Sequence, residues 1–217
     1  MFLRMISNKP QITAITVHKE DPAKRDLFVD GGFYSTLPLH LLMEQDLHVG
    51  DPFGEEEQAA LLLAAQLIPA MEKAYQYLGY GDLSRKRLYE KLVRFGIEPH
   101  VAEAACDRME QKGYVNDAEL AVKLSEKFAR VKHWGPRRIL PEILQRGIPA
   151  PLAKEAVEML DWDFEESAAY HLQTKYRKSD LSDRKERDRV YQGLLRLGFD
   201  YETARGALDQ WIEEEHE

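Results

Sequence analysis

Three glycines fix the organisation of this chain. Gly96, Gly147 and Gly198 stand 51 residues apart in both steps, each inside the same short phrase: Phe95-Gly96-Ile97, Arg146-Gly147-Ile148 and Leu197-Gly198-Phe199. The register extends to both sides. Leu92, Ile143 and Leu194 stand four residues before each glycine, and Leu88, Ile139 and Val190 eight before. Ala102, Ala153 and Ala204 follow at six residues, Ala105, Ala156 and Ala207 at nine. Apolar residues at i and i+4 mark the buried stripe of a helix. A glycine then ends it, because a left-handed residue is least strained without a Cβ. A second short helix starts near Pro99, Pro151 or Asp200, and its alanines allow close helix packing. Ser84 and Gly135 stand in register as N-caps of the first helices. A further helical stretch precedes each pair: Ala70 to Leu78, Asp117 to Val131 and Phe164 to Arg177. The expected fold is therefore mainly α, three tandem three-helix repeats of helix-turn-helix-like units in an elongated array.

Two prolines conflict with this pattern. Pro141 falls inside the first register helix of repeat two, where a continuous helix costs about 3 kcal/mol, so a kink or a late start is expected. Pro69 is expected to separate a lead helix, Glu55 to Leu67, from the repeats.

The first fifty residues differ. Gln11 to Lys19 alternates, with Ile12, Ala14, Thr16 and His18 on one face and Thr13, Ile15 and Val17 on the other. Asp26 to Val29 and Phe33 to Thr36 flank Asp30-Gly31-Gly32, which suits a tight hairpin. Leu39 to Glu44 follows as a short helix behind Pro38. The domain expectation is a small β-rich module over 1–54, then a lead helix with repeat one over 55–115. Repeat two spans 116–161, and repeat three with an acidic tail spans 162–217.

Net charge is −8, against a surface built wholly for polyanions. The charge is uneven: residues 1–57 carry −5 and residues 211–217 carry −4, which leaves 58–210 near +1 with its cations bunched. The residue before each first apolar register position is arginine: Arg87, Arg138 and Arg189. Arg87, Lys91 and Arg94 form one helical stripe. Repeat two adds Arg137 and Arg146, with Lys123, Lys127 and Arg130 on the helix before, and repeat three adds Arg196. Each cation alone reads equally as solvated helix surface. A stripe recurring in register suits a long, acidic, repetitive partner. Glu90 and Glu142, interleaved with it, favour a protein-containing partner over naked DNA.

No catalytic constellation is visible. Seven histidines show no metal-ligand spacing, the single cysteine, Cys106, sits on a packing helix, and no phosphate loop occurs. No cofactor, no metal and no enzymatic activity are expected. The longest apolar run, Ala59 to Ala65, is too short for a membrane span, and Met1 to Ile6 is too short for a signal-peptide core. A cytoplasmic monomer is expected.

At these repeats the sequence resembles the RecX family of bacterial regulatory proteins. The likeness is carried by Gly81-Asp82-Leu83-Ser84-Arg85-Lys86-Arg87-Leu88-Tyr89-Glu90-Lys91-Leu92, by Gly113-Tyr114-Val115-Asn116-Asp117 and by Gly135-Pro136-Arg137-Arg138-Ile139. It covers about residues 65 to 210, and the β-rich front resembles the extension of longer, Gram-positive-type members. Pro141 and Ala118-Glu119-Leu120 depart from the family pattern. The resemblance implies binding to the recombinase RecA and its filament on single-stranded DNA. It also implies inhibition of recombinase activity in DNA repair, recombination and the SOS response. The alternative is direct nucleic-acid binding by tandem helix-turn-helix-like units; weak direct DNA contact fits either reading.

Overall fold

The computed structural model describes residues 9–216, with side chains described as far as Glu213. Met1 to Ile6 and, of the acidic tail, Glu217 lie outside that range. By internal contacts the chain forms two compact units. One holds the described residues up to Lys73 together with Gly96–Ala105; the other holds Ala74–Phe95 and Cys106 onward.

In the first unit, β1 (Ile12–Val17), β2 (Lys24–Val29) and β3 (Gly32–Pro38) form an antiparallel sheet in that order. The hairpin forms where Asp30 (φ 49°) and Gly31 (φ 81°) both take the positive angles that a two-residue turn of matching twist requires. α1 (Leu39–Glu44) follows at once. One detail departs from simple alternation. The β1–β2 register shifts between Ile12 and Ala14, so Ile12 and Ile15 both join the core of Leu27, Leu41 and Phe53. A bulge inserts one residue and returns the next apolar side chain to the inner face.

α2 runs unbroken over Glu55–Gly79 with Pro69 inside it, so the expected break does not occur. Pro69 is exposed, whereas Leu67, Ala70 and Ala74 are buried. The helix therefore gives up one hydrogen bond on its outer face and keeps its inner contacts. Pro141 behaves likewise. α6 (Pro136–Gln145) starts directly after its N-cap Gly135, not late, and carries Pro141 on an exposed face opposite the buried Ile139 and Ile143.

The triplication is present as read. Repeat one follows α2 with α3 (Arg85–Phe95) and α4 (Pro99–Gln111). Repeat two is α5 (Asp117–Lys132), α6 and α7 (Ala150–Glu158); repeat three is α8 (Phe164–Thr174), α9 (Arg184–Arg196) and α10 (Tyr201–His216). Gly96, Gly147 and Gly198 take φ of 103°, 85° and 96°, the left-handed ends the pattern requires. The register alanines are buried in all three repeats, as are the apolar positions before the glycines. α8 stops three residues earlier than expected. Tyr176 turns back, its N–H donating to the His171 carbonyl at 3.2 Å, and its hydroxyl lies against Gly193 in α9, where any Cβ would collide with it.

Repeats two and three share Trp134, which packs on the core around Ile139 and Ile143 and on that around Leu194 and Phe199. Beside it, His133 caps α5 in a left-handed conformation (φ 51°) and stacks on Tyr170 with ring centroids 3.8 Å apart. The His133 carbonyl lies 2.9 Å from His171 Nε2. A carbonyl only accepts, so Nε2 carries the hydrogen. Burial lowers the His171 pKa below the ordinary 6.5, with the charges of His133 and Lys175 acting in the same direction. The unfolded chain thus takes up this proton at a higher pH than the folded one. Its stabilisation is complete above 6.5 and is lost as pH falls from there through the lower folded value. The urea unfolding midpoint should fall between pH 7.5 and pH 5.5, and His171→Gln should flatten that limb; an unchanged slope in the variant contradicts this assignment.

Candidate functional site

The candidate cations are arranged by a repeated docking of first helices. Within the second unit, the N-terminus of α3 meets the C-terminal turn of α6, and the N-terminus of α6 meets that of α9. Ser84 Oγ donates to the Arg146 carbonyl at 2.7 Å, and the Arg87 guanidinium donates to the Gln145 carbonyl at 2.5 Å. One repeat on, the Gly135 N–H donates to the Leu197 carbonyl at 2.9 Å and the Arg137 N–H to the Gly198 carbonyl at 3.1 Å. Helix starts carry orphan N–H groups and positive charge, and helix ends orphan carbonyls and negative charge, so each end satisfies the other. The first junction is built from side chains and the second from backbone.

A cleft opens at each junction. The first, of about 380 Å³, lies among α3, α5 and α6, with Leu83, Leu120 and Leu124 in its lining and Arg87, Lys91 and Arg146 as its cations. The second, of about 370 Å³, lies between α6 and the end of α9, with Pro141 and Leu195 in its lining and Arg137, Arg138 and Arg196 as its cations. Glu142 and Gln145 line both.

Most of these cations are held by aromatic faces. Arg138 lies 4.0 Å from the centroid of Trp134, Arg137 5.3 Å from Tyr201, Arg146 5.2 Å from Phe128 and Lys91 5.0 Å from Tyr77. A guanidinium stacked on a ring is oriented while its N–H donors stay available in its plane. Arg87 differs, since its guanidinium also pairs with Glu90 at 2.8 Å. The clefts are therefore suited to bind carboxylate or phosphate groups, with apolar surface alongside.

The other candidates lie outside these two linings. Lys123 bonds Glu119 at 2.9 Å and faces Asp82 at 3.8 Å, which holds its ammonium pKa above the usual lysine value. Arg94, Lys127 and Arg130 are exposed on α3 and α5. Arg189, the third register arginine, pairs with Glu186 at 3.3 Å and is 76% exposed. Arg87 and Arg138 each reach the end of the next first helix; among the described residues no such helix end meets Arg189. Arg85 holds repeat one together and ties it to repeat two, its guanidinium bonding Asp107 and Glu110 while its N–H donates to Asp117 at the start of α5. Cys106 is buried, with its thiol 3.9 Å from the Arg85 carbonyl.

Sequence reasoning missed the shared wall and the docking itself. In the sequence Glu142 reads as one of two interleaved acids, and the partners of Ser84 and Arg87 are about sixty residues away. Trp134, four residues before Arg138, was the one local signal of a stacked guanidinium. Among the described residues there is no group of three or more potential metal ligands, and no helix is long and apolar enough to cross a membrane.

Fold and site together define a tandem three-helix-repeat protein with cationic clefts at its repeat junctions. Family models described as the first and the third three-helix domain of RecX match residues 70–109 and 163–208. The regulatory protein RecX of Clostridioides difficile is 29% identical over 203 residues, covering 93% of this chain and 95% of that protein. That of Bacillus subtilis is 23% identical, covering 93% and 77%. A crystal structure of regulatory protein RecX superposes with a TM-score of 0.69 over 92% of this chain and 99% of that one at 21% identity. RecX from Lactobacillus salivarius gives 0.60 over 68% and 97%, also at 21% identity. The likeness to RecX regulatory proteins thus extends over most of this chain.

Proposed function

We propose that this protein is a non-enzymatic modulator of the RecA recombinase. It binds RecA and its filament on single-stranded DNA in the cytoplasm and lowers recombinase activity in repair, recombination and the SOS response. The observation that carries the reading is the pair of clefts at equivalent junctions, each presenting three cations beside apolar surface. A filament offers the same acidic surface at regular intervals, and an array that repeats its own cations engages several copies at once. Arg87, Lys91, Arg146, Arg137, Arg138 and Arg196 make the contacts. Arg94, Lys123, Lys127, Arg130 and Arg189 contribute only to the surrounding field. Direct contact with DNA is secondary.

Regulation then follows from differential affinity, because a binder shifts assembly only if it prefers one state of the filament. Stoichiometric protein should depress RecA's DNA-stimulated ATP hydrolysis severalfold. An unchanged rate with protein shown to be folded refutes the proposal.

A further inference from the structure

Glu142 is the carboxylate common to both clefts. It lies half-buried on α6, in the lining of the clefts that hold the six cations, and no ion pair engages it among the described residues. The cleft guanidiniums make their own contacts elsewhere, Arg138 and Arg137 over the faces of Trp134 and Tyr201 with their N–H donors still available, and Arg87 with Glu90 and the Gln145 carbonyl. An uncompensated negative charge on the wall between two positive clefts does nothing for the packing of the repeats. It acts on whatever lies across both.

A nucleic-acid strand carries one phosphate on every nucleotide and cannot omit one where it passes Glu142. A protein segment can place carboxylates over the cations on either side and an uncharged or hydrogen-bond-donating residue over Glu142 and Gln145. Its apolar side chains would meet Leu83, Leu120 and Leu124 in one cleft and Pro141 and Leu195 in the other. We infer that Glu142 sets the ligand class of this surface, admitting an acidic protein segment with apolar residues and turning away the phosphodiester backbone. The inference rests on the reading of the clefts as the partner-binding site.

The isosteric change Glu142→Gln tests it in the full chain. The probes are a fluorescent oligothymidylate of roughly 15 nucleotides and a fluorescent peptide of about ten residues alternating Glu with Leu, whose carboxylates reproduce the charge-assisted pairing expected of the partner. In the variant, oligonucleotide affinity should rise about fivefold at low salt while peptide affinity changes less than about twofold. Adding Arg138→Glu and Arg196→Glu should abolish the gain. Equal gains for both probes, no gain for the oligonucleotide, or a gain that survives those two reversals overturns the inference. Binding of the unmodified protein to RecA filaments, measured in parallel, reports on the proposed function alone. Its absence beside a positive Glu142→Gln result removes the recombinase reading and leaves the selectivity of Glu142 standing.

Discussion

Alanine at Gly198 should destabilise the protein far more than alanine at Gly96, although both occupy the same register position with nearly the same backbone angle. At Gly96 (φ 103°) an added Cβ meets nothing within 4 Å. The cost is the left-handed backbone alone, about 1–2 kcal/mol. At Gly147 the Cβ meets Ser84 Oγ at 2.9 Å and Lys86 Cβ at 3.2 Å, side-chain atoms of the first junction. Those atoms have some freedom to move, so an intermediate loss follows. At Gly198 it collides with the Arg138 backbone nitrogen and Cβ and approaches the Gly135 carbonyl at 2.7 Å. Backbone there is fixed by the Gly135-to-Leu197 and Arg137-to-Gly198 hydrogen bonds. Overpacking on backbone added to the strain gives a loss of about 3 kcal/mol or more. Gly135→Ala should match it, since its Cβ would fall on the Gly198 carbonyl and the Phe199 nitrogen. Urea unfolding of the four variants checks the order. Equal losses at Gly96 and Gly198 would show that the junction contributes nothing.

The second large effect concerns binding. Arg138→Glu combined with Arg196→Glu should weaken association with RecA filaments by about tenfold or more, mainly through faster dissociation. Arg189→Glu should change it by less than about threefold, since an exposed charge outside both clefts contributes little. Arg138 and Arg189 occupy the same register position in the sequence, so this contrast separates the role of the clefts from that of net charge. Thermal unfolding of the double variant must stay cooperative. Arg138 rests on Trp134 without filling the core, and Arg196 is exposed at the end of α9. Equal weakening by Arg189→Glu would mean that the partner senses only total charge.

Much of this architecture is legible in the sequence because the repeat unit is local. A helix stripe, its glycine end and the alanines of the next helix all fall within about twenty residues. The same holds for the hairpin at Asp30-Gly31, where turn chemistry decides the pairing. Pro69 and Pro141 misled because a proline's cost depends on the face it occupies. Both lie on exposed faces, where tertiary packing of Ala70, Ala74, Ile139 and Ile143 outweighs one lost hydrogen bond. The bulge at Thr13 carries no side-chain signal, so alternation sets Ile15 on the face opposite Ile12, whereas both meet the core.

The site was half visible. Register identified Arg87 and Arg138 as equivalent, and they are, each at the start of a first helix docked on the end of the next. It also ranked Arg189 beside them, because periodicity records position in a repeat and not what the side chain meets. Lys91 and Arg146 come together only through the contact of α3 with α6, a packing of distant segments that no local pattern encodes. Glu142 shows why polarity alone misleads: the same carboxylate dilutes a charge count in the sequence but stands at the common wall of two clefts in the structure.

Cryo-electron microscopy of RecA–single-stranded DNA filaments saturated with this protein tests the central claim most directly. The account predicts density along the filament with α6 turned towards it, acidic RecA side chains within about 4 Å of Arg138 and Arg196, and a neutral or donor residue opposite Glu142. Bare filaments under saturating protein would contradict it, as would an orientation that leaves both clefts facing solvent.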